Sequence, residues 1–358
     1  MTLPPPAAAP DAAAGLRVLD PVDPELLTLD AWALLGRLGR TTLLRVPAVD
    51  PDPAWRPRAV VVLQHGDEHT GLDALLRVLR HDPPRPYDLH VLVGNVAAAL
   101  APPGFAHRML PGQPDMNRAW RPDGTVEVPD DPLSVATREA LRHLRALDLA
   151  AVVDLHNTTG ANPFHALVAR TGTAELELAA LFTTTVVEWD QRRHTLMEAL
   201  ADRCPCVSVE CGLAGPQASL AFAVDGLRRY LGVPDPGALA TRTRVDLLGR
   251  MRRVELEPGV RLRFGGELDD EVDLVVVADA DRRNGVPQDP GWTLGAYRPD
   301  EPRPLRVVDT DGTDVTDELL AFEDGTIRVV APATPLMMTR TVAAARADCL
   351  TYLLARVG

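Results

Sequence analysis

Apolar residues along this chain come in two textures, and the change falls near Pro234. Before it, short unbroken apolar runs alternate with helical spacing. RAVVVLQ (58–64), HVLVGN (90–95), LAAVVDLH (149–156) and CVSVE (206–210) are continuous and largely β-branched, as expected of strands buried on both faces. Between and around them, PELLTLDAWALLGRL, TGLDALLRVLR, residues 133–147 and SLAFAVDGLRRYL carry the apolar faces of amphipathic helices. Thr70 and Asp73 resemble a capping box at the start of the second of these. ELELAALFTTTVVEW reads as a helix or as a helix that breaks into strand. Strands separated by helices at this spacing predict an α/β fold with a largely parallel sheet flanked by helices.

Past Pro234 the texture is different. VPDPGALA reads as a linker. Beyond it, RMRRVELE, VDLVVVAD, GTIRVV, PLMMTR and LTYLLARV are short β-rich runs separated by turns such as DGT and EDGT. The expected organisation is a disordered Pro/Ala-rich lead (1–15), an α/β domain (16–235) and a smaller β-rich domain (245–358). Residues 279–304, rich in Pro, Asp and Arg, predict a long loop.

Composition narrows the function classes. With 358 residues, 46% of them hydrophobic, the chain can bury a sizeable core. Its 37 basic and 50 acidic groups give a net charge of −13, which disfavours nucleic acid and anionic membranes as partners. Every basic side chain counted there is arginine, which excludes a Schiff-base or P-loop lysine. Cys204, Cys206 and Cys211 crowd into one short stretch and lack the paired CxxC spacing of structural zinc. The first residues, MTLPPPAAAPDAAAG, show neither a basic n-region nor an apolar h-region, and no run is long enough to span a bilayer. The expectation is a cytoplasmic protein with a small-molecule partner. A homo-oligomer is compatible with the sequence.

Candidate chemistry sits at strand ends. His65 and Glu68, in QHGDEHTG, follow the strand at 58–64, where open α/β sheets form their ligand crevice. An HxxE pair alone is a weak signal. His156 strengthens it, because it ends another apolar strand, and two His with one Glu leave a fourth zinc position open. Asp154 lies two residues earlier, on the same strand face as His156, where a carboxylate orients a metal-bound imidazole. Glu210 ends the strand CVSVE and is placed to act as a general base, unless Arg203 neutralises it as a structural acid.

HGDEHTG (65–71), GN (94–95), DMNRAW (115–120), DLHNTTGAN (154–162) and VECGLAGPQ (209–217) together resemble the aspartoacylase and succinylglutamate desuccinylase family, a branch of the zinc carboxypeptidase-like fold. The resemblance implies one zinc ion on His65, Glu68 and His156, with Glu210 as general base. It implies that Asn117 and Arg118 grip a substrate carboxylate, a role that suits an amide donor beside a guanidinium fork. It also implies that Arg108 polarises the scissile carbonyl and stabilises the oxyanion. The expected activity is removal of the acyl group from an N-acyl amino acid. The alternatives are a metallocarboxypeptidase acting on small peptides and a non-catalytic zinc-dependent binding protein. Ten positions before Glu210, where aspartoacylases carry an arginine, stands Leu200, and PLMMTR lacks the family's second-domain tyrosine. The resemblance therefore does not extend to aspartate specificity. It further implies that the second domain caps the cleft.

Overall fold

The computed structural model describes residues 15–121, 131–239 and 244–357, so residues 1–14 of the expected lead lie outside the described residues. The chain divides into two compact units. The first comprises residues up to Asn157, Phe164–Val186 and Arg192–Val245; the second comprises Thr158–Pro163, Val187–Gln191 and the chain from Asp246 onward.

Strands of the first part of the chain are β1 (Arg17–Leu19), β2 (Thr42–Val46), β3 (Arg58–Val62), β4 (Leu89–Val93), β5 (Val152–His156), β6 (His165–Val168), β7 (Thr185–Glu188) and β8 (Cys206–Glu210). Its helices are α1 (Ala31–Leu38), α2 (Thr70–His81), α3 (Val96–Leu100), α4 (Pro132–Ala146), α5 (Thr173–Ala180), α6 (Leu196–Leu200) and α7 (Gln217–Gly232). In the sheet the order runs β1-β2-β4-β3-β5-β8-β6, and β4, β3, β5 and β8 are mutually parallel. Every residue of β3, β4 and β5 is buried, which explains their continuous apolar sequences. β2 and β6 pair antiparallel with β4 and β8.

Local chemistry places the breaks. The stretch expected as one helix over 24–38 is interrupted, because Asp30 caps a new helix by accepting from the Ala33 amide at 2.8 Å. The capping box read at Thr70 and Asp73 does not form. His69 is the N-cap residue, and Asp73 instead takes the His69 Nδ1 at 2.7 Å. α2 packs against α7 and β5, approaching so closely that a Cβ on Gly71 would lie 2.7 Å from the Leu155 Cβ. ELELAALFTTTVVEW does break, into α5 and then β7.

The second unit holds β9 (Asp246–Leu256), β10 (Leu262–Phe264), β11 (Leu274–Val276), β12 (Trp292–Tyr297), β13 (Leu305–Val308), β14 (Leu320–Glu323), β15 (Thr326–Val329), β16 (Thr334–Leu336) and β17 (Thr351–Arg356). β9 pairs antiparallel with β13 and β17, and β17 with β16. A separate sheet runs β10-β11-β12-β15-β14. The segment 279–304 is not one long loop, since β12 occupies six of its residues and buries Trp292, Leu294 and Tyr297 in this unit's core. Residues 158–163 bond within the same unit. The Ala161 amide donates to Asp281 Oδ2 at 2.9 Å, Asn284 Nδ2 donates to the Ala161 carbonyl at 2.9 Å, and the Met337 amide donates to Asn162 Oδ1 at 2.7 Å.

Arg58 shows how the far end of the parallel sheet is held. It opens β3, is fully buried, and donates to the carbonyls of Tyr230, Val233 and Pro234 at and beyond the end of α7. The Tyr87 ring centroid lies 4.4 Å from its guanidinium carbon. A buried cation here satisfies carbonyls that the helix end leaves unpaired. Arg58→Met should lower unfolding free energy by about 2–4 kcal/mol, because those carbonyls would be buried without a donor. Chemical denaturation followed by circular dichroism measures it; an unchanged midpoint contradicts the assignment.

Candidate metal centre

Backbone turns at the carboxyl ends of β3, β5 and β8 bring the candidate residues together. After β3 the chain passes through Leu63, at φ 61°, whose carbonyl accepts the Asn95 amide at 2.7 Å. A Cβ on Gly94 would lie 2.7 Å from that same carbonyl, so the GN pair at 94–95 reflects close backbone approach. His65 follows, and Glu68 comes back towards it just before α2 begins.

The two histidines share the Glu68 carboxylate. His65 Nδ1 lies 2.8 Å from Oε1, and His156 Nδ1 lies 2.8 Å from Oε2. All three residues are buried, and one potential ligand atom from each falls within 4.8 Å of the others. Among the described residues this is the group of His, Cys, Asp and Glu side chains that could hold a metal ion. Each imidazole turns its other nitrogen to an aspartate: His65 Nε2 is 3.0 Å from Asp115 Oδ1, and His156 Nε2 is 2.8 Å from Asp154 Oδ2. Asp154 and His156 therefore do share a strand face. Asp154 Oδ2 also accepts from Gln64 Nε2 at 2.5 Å, and Gln64 Oε1 accepts from the Trp120 indole at 2.6 Å. These outer contacts fix which imidazole nitrogen faces the shared carboxylate.

Protonation follows from the charges. Burial and Arg108 act to lower the His65 pKa, but Glu68 and Asp115 outweigh them and raise it. Burial likewise opposes ionisation of His156, yet Asp154 and Glu68 raise its pKa well above the ordinary value. Glu68 and Asp115 stand below the carboxylate range, because the imidazoles overcome the desolvation that favours their neutral forms. A divalent cation placed among these nitrogens and the Glu68 oxygens would take the place of protons there. The donor set, two imidazoles and a carboxylate, fits zinc.

Glu210 ends β8 directly beside His156, its register partner on the neighbouring parallel strand. One carboxylate oxygen, Oε2, is buried and finds no hydrogen-bond partner among the described residues. Burial pushes the Glu210 pKa up to about 7, with His156 opposing and Glu68 adding to the rise. Arg203 does not neutralise it; that side chain donates to the Arg145 carbonyl at 2.8 Å.

The remaining candidates lie on the segment after α3. Arg108 donates to Glu68 Oε1 at 3.3 Å and to Asp115 Oδ2 at 2.9 Å, which sets its guanidinium at the edge of the histidine cluster. Asn117 and Arg118 sit on the single 3-10 turn Met116–Arg118, with Asp115 capping it. Asn117 Nδ2 is 3.5 Å from His156 Nε2, its Oδ1 is buried without a partner among the described residues, and the Arg118 charge helps to depress the Asp115 pKa. Sequence reasoning missed Asp115, Gln64 and Asn157 as contributors. Asp115 and Asn157 stand inside motifs already singled out, but their contacts reach across long stretches of chain.

No protein-family model matches the sequence, nor does any curated protein. Solved structures do resemble it. A succinylglutamate desuccinylase/aspartoacylase from Rhodobacter sphaeroides superposes with TM-score 0.54 at 14% identity, covering 88% of each chain. A succinylglutamate desuccinylase from Vibrio parahaemolyticus gives 0.55 at 13%, covering 88% of this chain and 86% of its own. Murine aminoacylase 3 gives 0.52 at 16%, covering 86% and 96%. The chain has their fold. The expected architecture, a largely parallel sheet flanked by helices with a separate smaller sheet, is what this aspartoacylase-like fold displays here. No helix among the described residues is long and apolar enough to cross a membrane.

Glu210 gives a test in the metal-free protein. An acid whose pKa is raised from 4.5 to about 7 on folding binds more protons when folded than unfolded across that interval. Its share of stability therefore falls as pH rises from 4.5 through 7. Glu210→Gln should leave stability near pH 4 unchanged and make the chelator-treated protein more stable than wild type at pH 8. Thermal melts at the two pH values read the difference, and equal melting temperatures at pH 8 contradict the assignment.

Proposed function

We propose that this chain is a zinc-dependent amidohydrolase that removes the acyl group from an N-acyl amino acid. The observation that carries the reading is Glu210, with its unpartnered buried oxygen, standing in register beside His156 of the His65–Glu68–His156 cluster. A general base next to an imidazole–carboxylate ligand set is the equipment of metal-assisted hydrolysis rather than of binding alone. The fold shared with proteins described as desuccinylase and aminoacylase supports amide deacylation as the class.

His65, Glu68 and His156 would hold the ion, with Asp115 and Asp154 fixing the two rings. Zinc in such a set would supply Lewis acidity and make a water acidic. The protein's own groups do the rest. Glu210 accepts the proton of the attacking water and returns it to the departing nitrogen, standing beside His156 with one carboxylate oxygen free of other partners among the described residues. Arg108, beside Glu68, supports the charge that develops on the carbonyl oxygen. Asn117 and Arg118 take the substrate carboxylate.

Glu210→Gln should cut kcat by about 10²–10⁴-fold while the protein still binds one equivalent of zinc. Undiminished turnover in that variant would overturn the proposed base. Chelation should abolish activity and zinc should restore it. Incubating the zinc-loaded enzyme with a mixed library of N-acyl amino acids and dipeptides, followed by mass spectrometry, separates the substrate classes. Depletion of N-acyl amino acids alone is expected. Depletion of dipeptides alone would move the assignment to a carboxypeptidase, and stoichiometric zinc with no depletion would make the protein a binder.

A further inference from the structure

Asn157 is buried, and it follows His156 directly. Its polar groups are spent on two other segments, the turn into α2 and the chain just beyond β8. The backbone amide donates to Glu68 Oε2 at 3.1 Å, the side-chain Oδ1 accepts from the Thr70 amide at 3.2 Å, and Nδ2 donates to the Gly212 carbonyl at 2.7 Å. Thr70 opens α2, two positions beyond Glu68. Gly212 lies two positions beyond Glu210 and adopts φ 75°, so the chain turns sharply at the point where Asn157 holds it. A backbone bond from the Cys211 amide to the His156 carbonyl, 2.9 Å, closes the same junction. One side chain thus ties the start of α2, the end of β5 and the end of β8. These are the three places that carry Glu68, His156 and Glu210.

We propose that Asn157 is a positioning residue that sets the distance between the metal ligands and the general base, an inference that rests on the reading of the site as a zinc hydrolase. The geometry asks for asparagine in particular. It needs an acceptor on one branch of the side chain and a donor on the other, each aimed at a backbone group. Aspartate matches the shape but has no donor for Gly212, and it places a second negative charge beside Glu68. Alanine leaves the Thr70 amide and the Gly212 carbonyl without their partner. Residues that orient first-coordination ligands typically change metal affinity by 10–100-fold when removed. A buried asparagine with a merely structural role would lower stability without moving affinity or turnover selectively.

The test compares Asn157→Ala and Asn157→Asp with wild type in three measurements: thermal melting of the metal-free protein, zinc affinity by competition with a chromophoric chelator, and kinetics at saturating zinc. Asn157→Ala should bind zinc about 10–100-fold more weakly. At saturating zinc the affinity defect is masked, so the remaining loss reports the Glu210 side of the tie. There both variants should lose about tenfold or more in kcat with KM within about twofold of wild type, because Asn157 orients the reacting groups without touching substrate. If both variants melt lower but keep wild-type zinc affinity and kcat, the positioning role is wrong. Should Asn157→Ala fail to fold, Asn157→Asp decides alone through kcat and affinity at saturating and limiting zinc, and wild-type values for both overturn the proposal. A wild-type protein that binds zinc yet hydrolyses nothing removes the hydrolase reading while the affinity comparison still judges Asn157. One that binds no zinc overturns both.

Discussion

Two buried imidazoles lean on the two oxygens of one carboxylate, each 2.8 Å away, and the surrounding structure is arranged to keep them there. Glu68 is withdrawn from water, so its charge must be compensated locally or it would take up a proton. The imidazoles provide that compensation, and each then needs a carboxylate of its own on the far side of the ring. Asp115 and Asp154 fill those places, and Arg108 bridges Glu68 and Asp115. The result is a chain of carboxylates and imidazoles in which each ring lies between two carboxylates. A cation entering this set meets donors already oriented, so little of its binding free energy is lost to ordering side chains.

Glu210 gains its character from being left out of that alternation. It neighbours His156 along the sheet, yet no donor reaches its Oε2 among the described residues. Desolvation, tolerable for Glu68 because of two imidazoles, raises the Glu210 pKa to about 7 even though that residue is only partly buried. Two glutamates within one cluster are thereby driven in opposite directions, one held ionised and the other poised to exchange a proton near neutrality.

Much of this was legible in the residues themselves. Strands buried on both faces write themselves as unbroken β-branched runs, so β3, β4, β5 and β8 could be read with the functional side chains at their ends. The failures share a cause. β12 is six residues of strand flanked by Pro, Asp and Arg, and the flanks hid it; only packing into the second unit's core makes WTLGAY a strand. The capping box at Thr70 follows a local rule, but His69 already occupies the cap and claims Asp73. Asp115 lies fifty positions from the His65 ring it orients, a contact that no periodicity announces. Arg108 lies outside every motif and enters only through the family resemblance, and its two carboxylate partners emerge only from the fold.

The short bridge after His156 has a consequence for how this chain could be cut or recombined. Residues 158–163 find their hydrogen-bond partners at Asp281, Asn284 and Met337, although they leave directly from a strand of the parallel sheet. An isolated amino-terminal fragment would keep every side chain of the metal cluster but strip the neighbouring loop of its amide and carbonyl mates. Gene fusions or domain exchanges that treat residue 245 as a clean seam would therefore separate residues 158–163 from the unit to which they belong.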